Sequence, residues 1–215
     1  RSTLMRSSAA SDVYKRQVMR EIIKQRINDS IEVKKGLLEN ESLLENLECL
    51  THEIKKAIRK GHKLVLCGNG GSASDALHFA GEIVGRFIRE RDAWPAVVLN
   101  ADVATMTAIG NDYGYDDVFS RQAQAHCQEG DVFIGISTSG NSENVRRALE
   151  MAKSKGCKTA ALLGKDGGII GKIADIPLIV PCNTTARVQE SHILLIHIMC
   201  ELVERDLEVD REIGK

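Results

Sequence analysis

The chain has 215 residues, 43% of them hydrophobic and only 4% aromatic, which suits one domain built around an aliphatic core. Its 29 basic and 30 acidic side chains are interspersed and leave a net charge of −1, so no basic stripe points to nucleic acid and no acidic tail to disorder. No apolar run approaches a membrane span, no signal peptide is visible, and Cys49, Cys67, Cys127, Cys157, Cys182 and Cys200 form no close C-x-x-C pair, so a cytoplasmic protein with buried free thiols is expected.

Residues 1–18, "RSTLMRSSAASDVYKRQV", are polar and carry no sustained apolar period. The string "SSAASDVYKRQ" resembles a translated sequencing-adapter remnant, so 1–18 is expected to be a non-native leader with Met19 as the start. From Arg20 to about Lys60 the pattern is helical. Ile23, Ile27 and Ile31 recur at four-residue steps, and Leu43, Leu44, Leu47, Leu50, Ile54 and Ile58 form a second stripe. "ENES" (39–42) separates the two helices, with Asn40 or Ser42 as cap. Such stripes either cover a core or build an oligomeric helix bundle.

After Gly61 short apolar runs alternate with helical segments. The expected strands are 63–68, 95–99, 131–137, 158–164 and 176–181, and a last helix runs from about Ala186 to Asp206. The runs are continuously apolar, as parallel strands buried on both faces require. The expectation is an α/β fold: a doubly wound, five-stranded, mainly parallel sheet over 61–215, forming a single domain with the helices of 19–60. In such sheets ligands bind beyond the carboxyl ends of the strands where the strand order reverses.

Two loops fall at that edge. "GNGGSAS" (68–74) follows the first strand, with Ser72 and Asp75 in an S-x-x-D capping pattern. Alone it serves equally as a tight turn, a phosphate cradle or a dinucleotide loop of G-x-G-x-x-A type. "ISTSGNSENV" (136–145) follows the third strand and crowds Ser137, Thr138, Ser139 and Ser142 around one glycine. Two such turns favour a phosphosugar cleft, because a dinucleotide would leave the second unexplained.

On the helix opened by the first loop, His78 and Glu82 share a face. A solvated polar stripe is the ordinary reading of such a pair, but the helix is largely apolar and begins in a ligand loop. "AIGNDYGYDDVFSRQ" (108–122) places Asn111 and Asp112 in an expected loop, as turn formers or as partners for sugar hydroxyls. On the last helix Gln189, His192 and His197 lie in an apolar setting, where each taken singly reads as a core or interface residue. Gln189 and His197 are roughly 12 Å apart along a regular helix. To share a ligand they need an irregular first turn or a site between subunits.

These motifs, with "GKDGG" (164–168) and "RVQESHILLIH" (187–197), stand in an order that resembles the sugar isomerase (SIS) domain family, a flavodoxin-like fold, and its bacterial phosphoheptose isomerases. The resemblance runs from about Met19 to Asp206. It implies isomerisation of sedoheptulose 7-phosphate to glycero-manno-heptose 7-phosphate for cell-envelope glycans. Substrate binding would fall to Asn69, Gly70, Gly71, Glu82, Asn111, Asp112, Ser137, Thr138, Ser139, Ser142 and Gln189. One Zn²⁺ per subunit would be held by His78, Glu82, Gln189 and His197, with Glu82 and His197 as the acid–base pair of a homotetramer. The amide of Gln189 is an unusual zinc ligand. The alternative within the same fold is a non-catalytic protein that binds a phosphosugar or a replication-initiator partner; the initiator-binding relative lacks the acid–base pair, whereas Glu82 and His197 are both present here.

Overall fold

The structure, a computed structural model, describes residues 2–213, with side chains described over 14–207. Five parallel strands form one sheet: β1 (Leu64–Gly68), β2 (Ala96–Val98), β3 (Val132–Ser137), β4 (Lys158–Gly164) and β5 (Ile176–Val180). Their order is β2-β1-β3-β4-β5, so after β1 the chain turns to one side and after β3 to the other. The mainly parallel expectation becomes wholly parallel, in register from Leu64 beside Val132 to Gly68 beside Ile136 across the central pair.

Strand periodicity divides the core into two layers. Leu64, Leu66, Val132, Ile134, Ile136, Ala160 and Leu162 face α2 (Glu41–Arg59), α3 (Gly71–Val84) and α8 (Thr185–Ile213). Val65, Cys67, Phe133, Ala161 and Leu163 face α5 (Ser120–His126), α6 (Glu143–Ser154) and α7 (Gly168–Ile173). The central strands are buried on both sides, which is why they read as unbroken apolar runs. The edges depart from that pattern: β2 is half-buried throughout and β5 alternates buried with half-buried positions. Each edge strand has one strand neighbour, so its cover is incomplete.

Helix α1 spans Ser2–Leu38, running through the stretch expected to be a leader; the side chains of 1–13 lie outside the described residues. Asn40 starts α2 by accepting the Leu43 N–H at 3.1 Å, as its position before the second stripe implied. Leu43, Leu47, Leu50 and Ile54 of that stripe are buried against the sheet. The first stripe is not: Ile23, Ile27 and Ile31 are exposed in the single chain. Four of the six thiols are buried as expected, but Cys49 is exposed and Cys182 half-buried; all six are free. No helix among the described residues is long and apolar enough to cross a membrane.

Candidate active site

The site is built where the strand order reverses. β1 and β3 are neighbours, and the loops leaving their carboxyl ends run in opposite directions, opening a crevice between α3 and α6. Gly70 caps α3 with φ 56° and ψ −122°, a conformation essentially closed to side-chain-bearing residues. The expected Ser72–Asp75 capping pair is therefore corrected. Ser72 lies inside the helix and is buried, and Asp75 Oδ2 is buried with no hydrogen-bond partner. Burial raises the Asp75 carboxyl to about 6, with His78 pulling the other way.

The two loops are tied together. Asn69 donates to Asn144 Oδ1 at 2.9 Å, Asn144 donates back to Asn69 Oδ1 at 3.0 Å, and the Tyr115 hydroxyl donates to the same Asn69 oxygen at 3.0 Å. Asn144 and Tyr115 stood inside the quoted motifs, but only the fold shows that they set the mouth of the cleft. In the second loop Ser137 Oγ lies 2.9 Å from Ser142 Oγ and 3.4 Å from Ser139 Oγ, with Thr138 half-buried between them. The loop is braced from below by the helical turn that follows "GKDGG", where the Ile170 N–H donates to the Gly140 carbonyl at 2.9 Å. Glu143, at the start of α6, would repel an anion if bare. Arg146 and then Arg147 hold its carboxyl down to about 2, each donating to it at 2.7 Å.

Helices α3 and α8 run side by side in the same sense, so each level of one faces a level of the other. At the upper level Gln189 packs on Gly71: a methyl group there would overlap its Nε2 and stand 2.8 Å from Cδ and 3.0 Å from Oε1. Two turns lower, His78 Nε2 is 2.9 Å from Glu82 Oε1 and 3.3 Å from His197 Nε2. The His78 and His197 rings meet edge-on at 5.0 Å, and Phe87 stacks on His197 at 5.4 Å.

The structure thus unites His78, Glu82 and His197, each offering a ligand atom within 4.8 Å of the others. Gln189 stays with the glycine loop, about 12 Å up α8 from His197. The irregular first turn is not found: α8 is helical from Thr185 and Gln189 lies within it. His192, buried between the two levels, donates from Nε2 to the Leu163 carbonyl at 3.0 Å while its Nδ1 has no partner. Burial pushes its imidazole down to about 4, against the pull of that carbonyl. Asn111 and Asp112 are the other correction. They end a helix, α4 (Val103–Asp112), that Asp102 caps by accepting the Ala104 and Thr105 N–H groups, and both are exposed, bonded to each other at 2.8 Å.

The donor set suits zinc. Two imidazole nitrogens and a carboxylate oxygen are its usual ligands, and in a tetrahedral site with bonds of about 2.0–2.1 Å neighbouring donors lie about 3.3 Å apart. The His78–His197 and His78–Glu82 separations of 3.3 and 2.9 Å are close to that spacing. Side-chain exposure of 44% at His78 and 22% at Glu82 leaves room for a further ligand from solvent or substrate.

Comparison with known proteins converges on one family. A SIS-domain family model matches residues 28–164. The phosphoheptose isomerase of Geobacter sp. (strain M21) is 59% identical over 161 residues, 75% of this chain and 84% of that protein. That of Sulfurimonas denitrificans is 49% identical over 189 residues, 88% of this chain and 97% of that protein. The solved structure of phosphoheptose isomerase GmhA from Neisseria gonorrhoeae is 41% identical, with a TM-score of 0.82 over 87% of this chain and 99% of that one.

Proposed function

The chain belongs to the SIS-domain family and groups there with the phosphoheptose isomerases, and from that premise we propose that it interconverts sedoheptulose 7-phosphate and D-glycero-D-manno-heptose 7-phosphate for cell-envelope glycan synthesis. The observation that carries this reading is the convergence of Glu82 and His197, from different helices, below a cleft lined by hydroxyls and loop amides.

The hydroxyls of Ser137, Thr138, Ser139 and Ser142 and the amides of Gly70 and Gly71 would bind the phosphate and the adjoining sugar oxygens. Gly71 and His78 are seven residues apart, about 10 Å along α3, a span that an extended seven-carbon phosphate can bridge. Glu82 then takes a proton from C1 of the ketose while His197 donates one to the C2 carbonyl oxygen, giving the enediol. Glu82 returns its proton to C2 as His197 recovers the proton of the C1 hydroxyl, and the carbonyl now stands on C1. The exchange is redox-neutral and needs no nicotinamide. Each acid or base role contributes ~10²–10⁴-fold to rate.

A Zn²⁺, one per subunit, would be held by His78, Glu82 and His197, and would polarise the carbonyl as a Lewis acid. Gln189, beside Gly71 and about 12 Å along α8 from His197, would contact the sugar, and as a zinc ligand it would serve a site shared between subunits. The exposed positions of Asn111 and Asp112 suit contact with substrate across a subunit boundary. The exposed Ile23, Ile27 and Ile31 suit the helical bundle of a homotetramer, and free thiols suit the cytoplasm.

The test is turnover of sedoheptulose 7-phosphate by purified protein with and without a chelator, beside Glu82→Gln. Formation of an aldose heptose phosphate, lost in Glu82→Gln, is expected. Absence of product from zinc-loaded tetramer would shift the reading to a non-catalytic phosphosugar-binding or partner-binding protein.

A further inference from the structure

A third level of the α3–α8 pair lies below the proposed ligands. Glu204, seven residues after His197 on α8, is buried at 2% exposure. One carboxylate oxygen accepts the Phe87 N–H at 2.7 Å and Arg91 Nε at 3.0 Å; the other accepts the N–H groups of Ile88 at 2.8 Å and Arg89 at 3.0 Å. Burial alone would raise this carboxyl, but the three amides and Arg91 outweigh it and hold it below its ordinary value. Arg91 is equally engaged. Its guanidinium donates to the carbonyl of Glu82 at 2.8 Å and of Ile83 at 3.0 Å, two orphan carbonyls of the last turn of α3, and lies 3.6 Å from the centre of the Trp94 ring.

Two consequences meet at the site above. Through Arg91, the turn of α3 that carries Glu82 is bonded to α8. Through the amides of 87–89, the loop after α3 is fixed so that Phe87 stacks on His197. Resting on the isomerase reading, we infer that the Glu204–Arg91 pair is a positioning device that sets the separation between Glu82 and His197. Neither residue touches the reacting atoms; both act through the groups they hold. A salt bridge serving stability alone would have no reason to end on the Glu82 carbonyl and on the loop that carries the His197 stacking partner. The sugar-binding loops at 68–71 and 137–142 lie at the other end of α3, so substrate affinity is left largely alone.

The experiment compares wild type with Arg91→Ala, Arg91→Lys and Glu204→Gln, and with Val132→Ala as a stability control at the amino end of β3. Each is scored by kcat, KM, Tm and zinc affinity from calorimetry. Loss of an outer support of this kind costs about 10–100-fold in metal affinity or activity. Arg91→Ala and Arg91→Lys are expected to lose at least about 10-fold in kcat and in zinc affinity with KM within about 3-fold, since a lysine cannot reach Glu204 and both carbonyls together. Glu204→Gln, which keeps the volume and the acceptor oxygen, is expected to fall between them and wild type, and carries the test if Arg91→Ala does not fold. Val132→Ala should lower Tm with kcat unchanged. The inference is overturned if the clasp variants behave like Val132→Ala, or if KM rises while kcat and zinc affinity hold. If wild type is inert toward sedoheptulose 7-phosphate but zinc affinity still drops in the variants, the substrate is wrong and the clasp stands.

Discussion

Replacing Gly71 by alanine separates the geometry of Gln189 from the stability of the fold. Gly71 is the first residue of α3 and needs no left-handed conformation, so alanine is tolerated by the backbone and favoured by helix propensity by up to about 1 kcal/mol. The three atoms nearest the new methyl group all belong to the Gln189 side chain, whose Cδ would have to retreat from 2.8 Å to beyond 3.4 Å and its amide nitrogen further. A rotamer change meets that demand at small cost, so Tm should hold or rise slightly. The amide would then miss its place by about 1 Å, a displacement that can cost on the order of 10²-fold in turnover, near 2.7 kcal/mol of transition-state stabilisation. The assay is kcat/KM for Gly71→Ala, Gln189→Ala and the double variant. If Gly71 acts through Gln189, the double variant should be no worse than Gln189→Ala alone. Full activity in Gly71→Ala, or strictly additive losses, would refute the reasoning and leave Gln189 a packing residue.

Two further outcomes are expected. His192 is depressed to about 4 in the fold against 6.5 unfolded, so its contribution to stability is present in full above pH 6.5 and is lost as the pH falls toward and through 4. The whole effect is at most about 3 kcal/mol, and urea melts of wild type and His192→Gln at pH 7.5 and 4.5 should show the mutant's pH dependence flattened; parallel curves would show that His192 is not the group responsible. If the proposed tetramer is built on this stripe, Ile23→Glu with Ile27→Glu should shift the light-scattering mass from that of four chains toward smaller species, since burying each isoleucine is worth ~1.5–3 kcal/mol. An unchanged mass would place the subunit contacts elsewhere.

The strand runs, the strand–helix alternation and the two Gly/Ser turns were legible from residue order, because the period of apolar residues and the conformational demands of glycine act locally. Asn40 as a cap and the matching frames of all five strands belong to the same class. His78 and Glu82 could be paired by helix spacing alone. What residue order could not supply was any relation between elements distant in the chain. His197 reaches His78 only because α3 and α8 lie parallel on one face of the sheet, and Asn144 meets Asn69 only because β3 lies beside β1. The same packing left Gln189 at the glycine loop. It also turned Asp75 from a cap into a half-buried carboxyl whose Oδ2 has no hydrogen-bond partner, and gave Glu204 and Arg91, ordinary charges in the sequence, four hydrogen bonds each around the turn of α3 that carries Glu82. Local propensity decides which segments become helix or strand. The distance between two side chains more than a hundred residues apart is decided by the sheet order and by which face each helix buries.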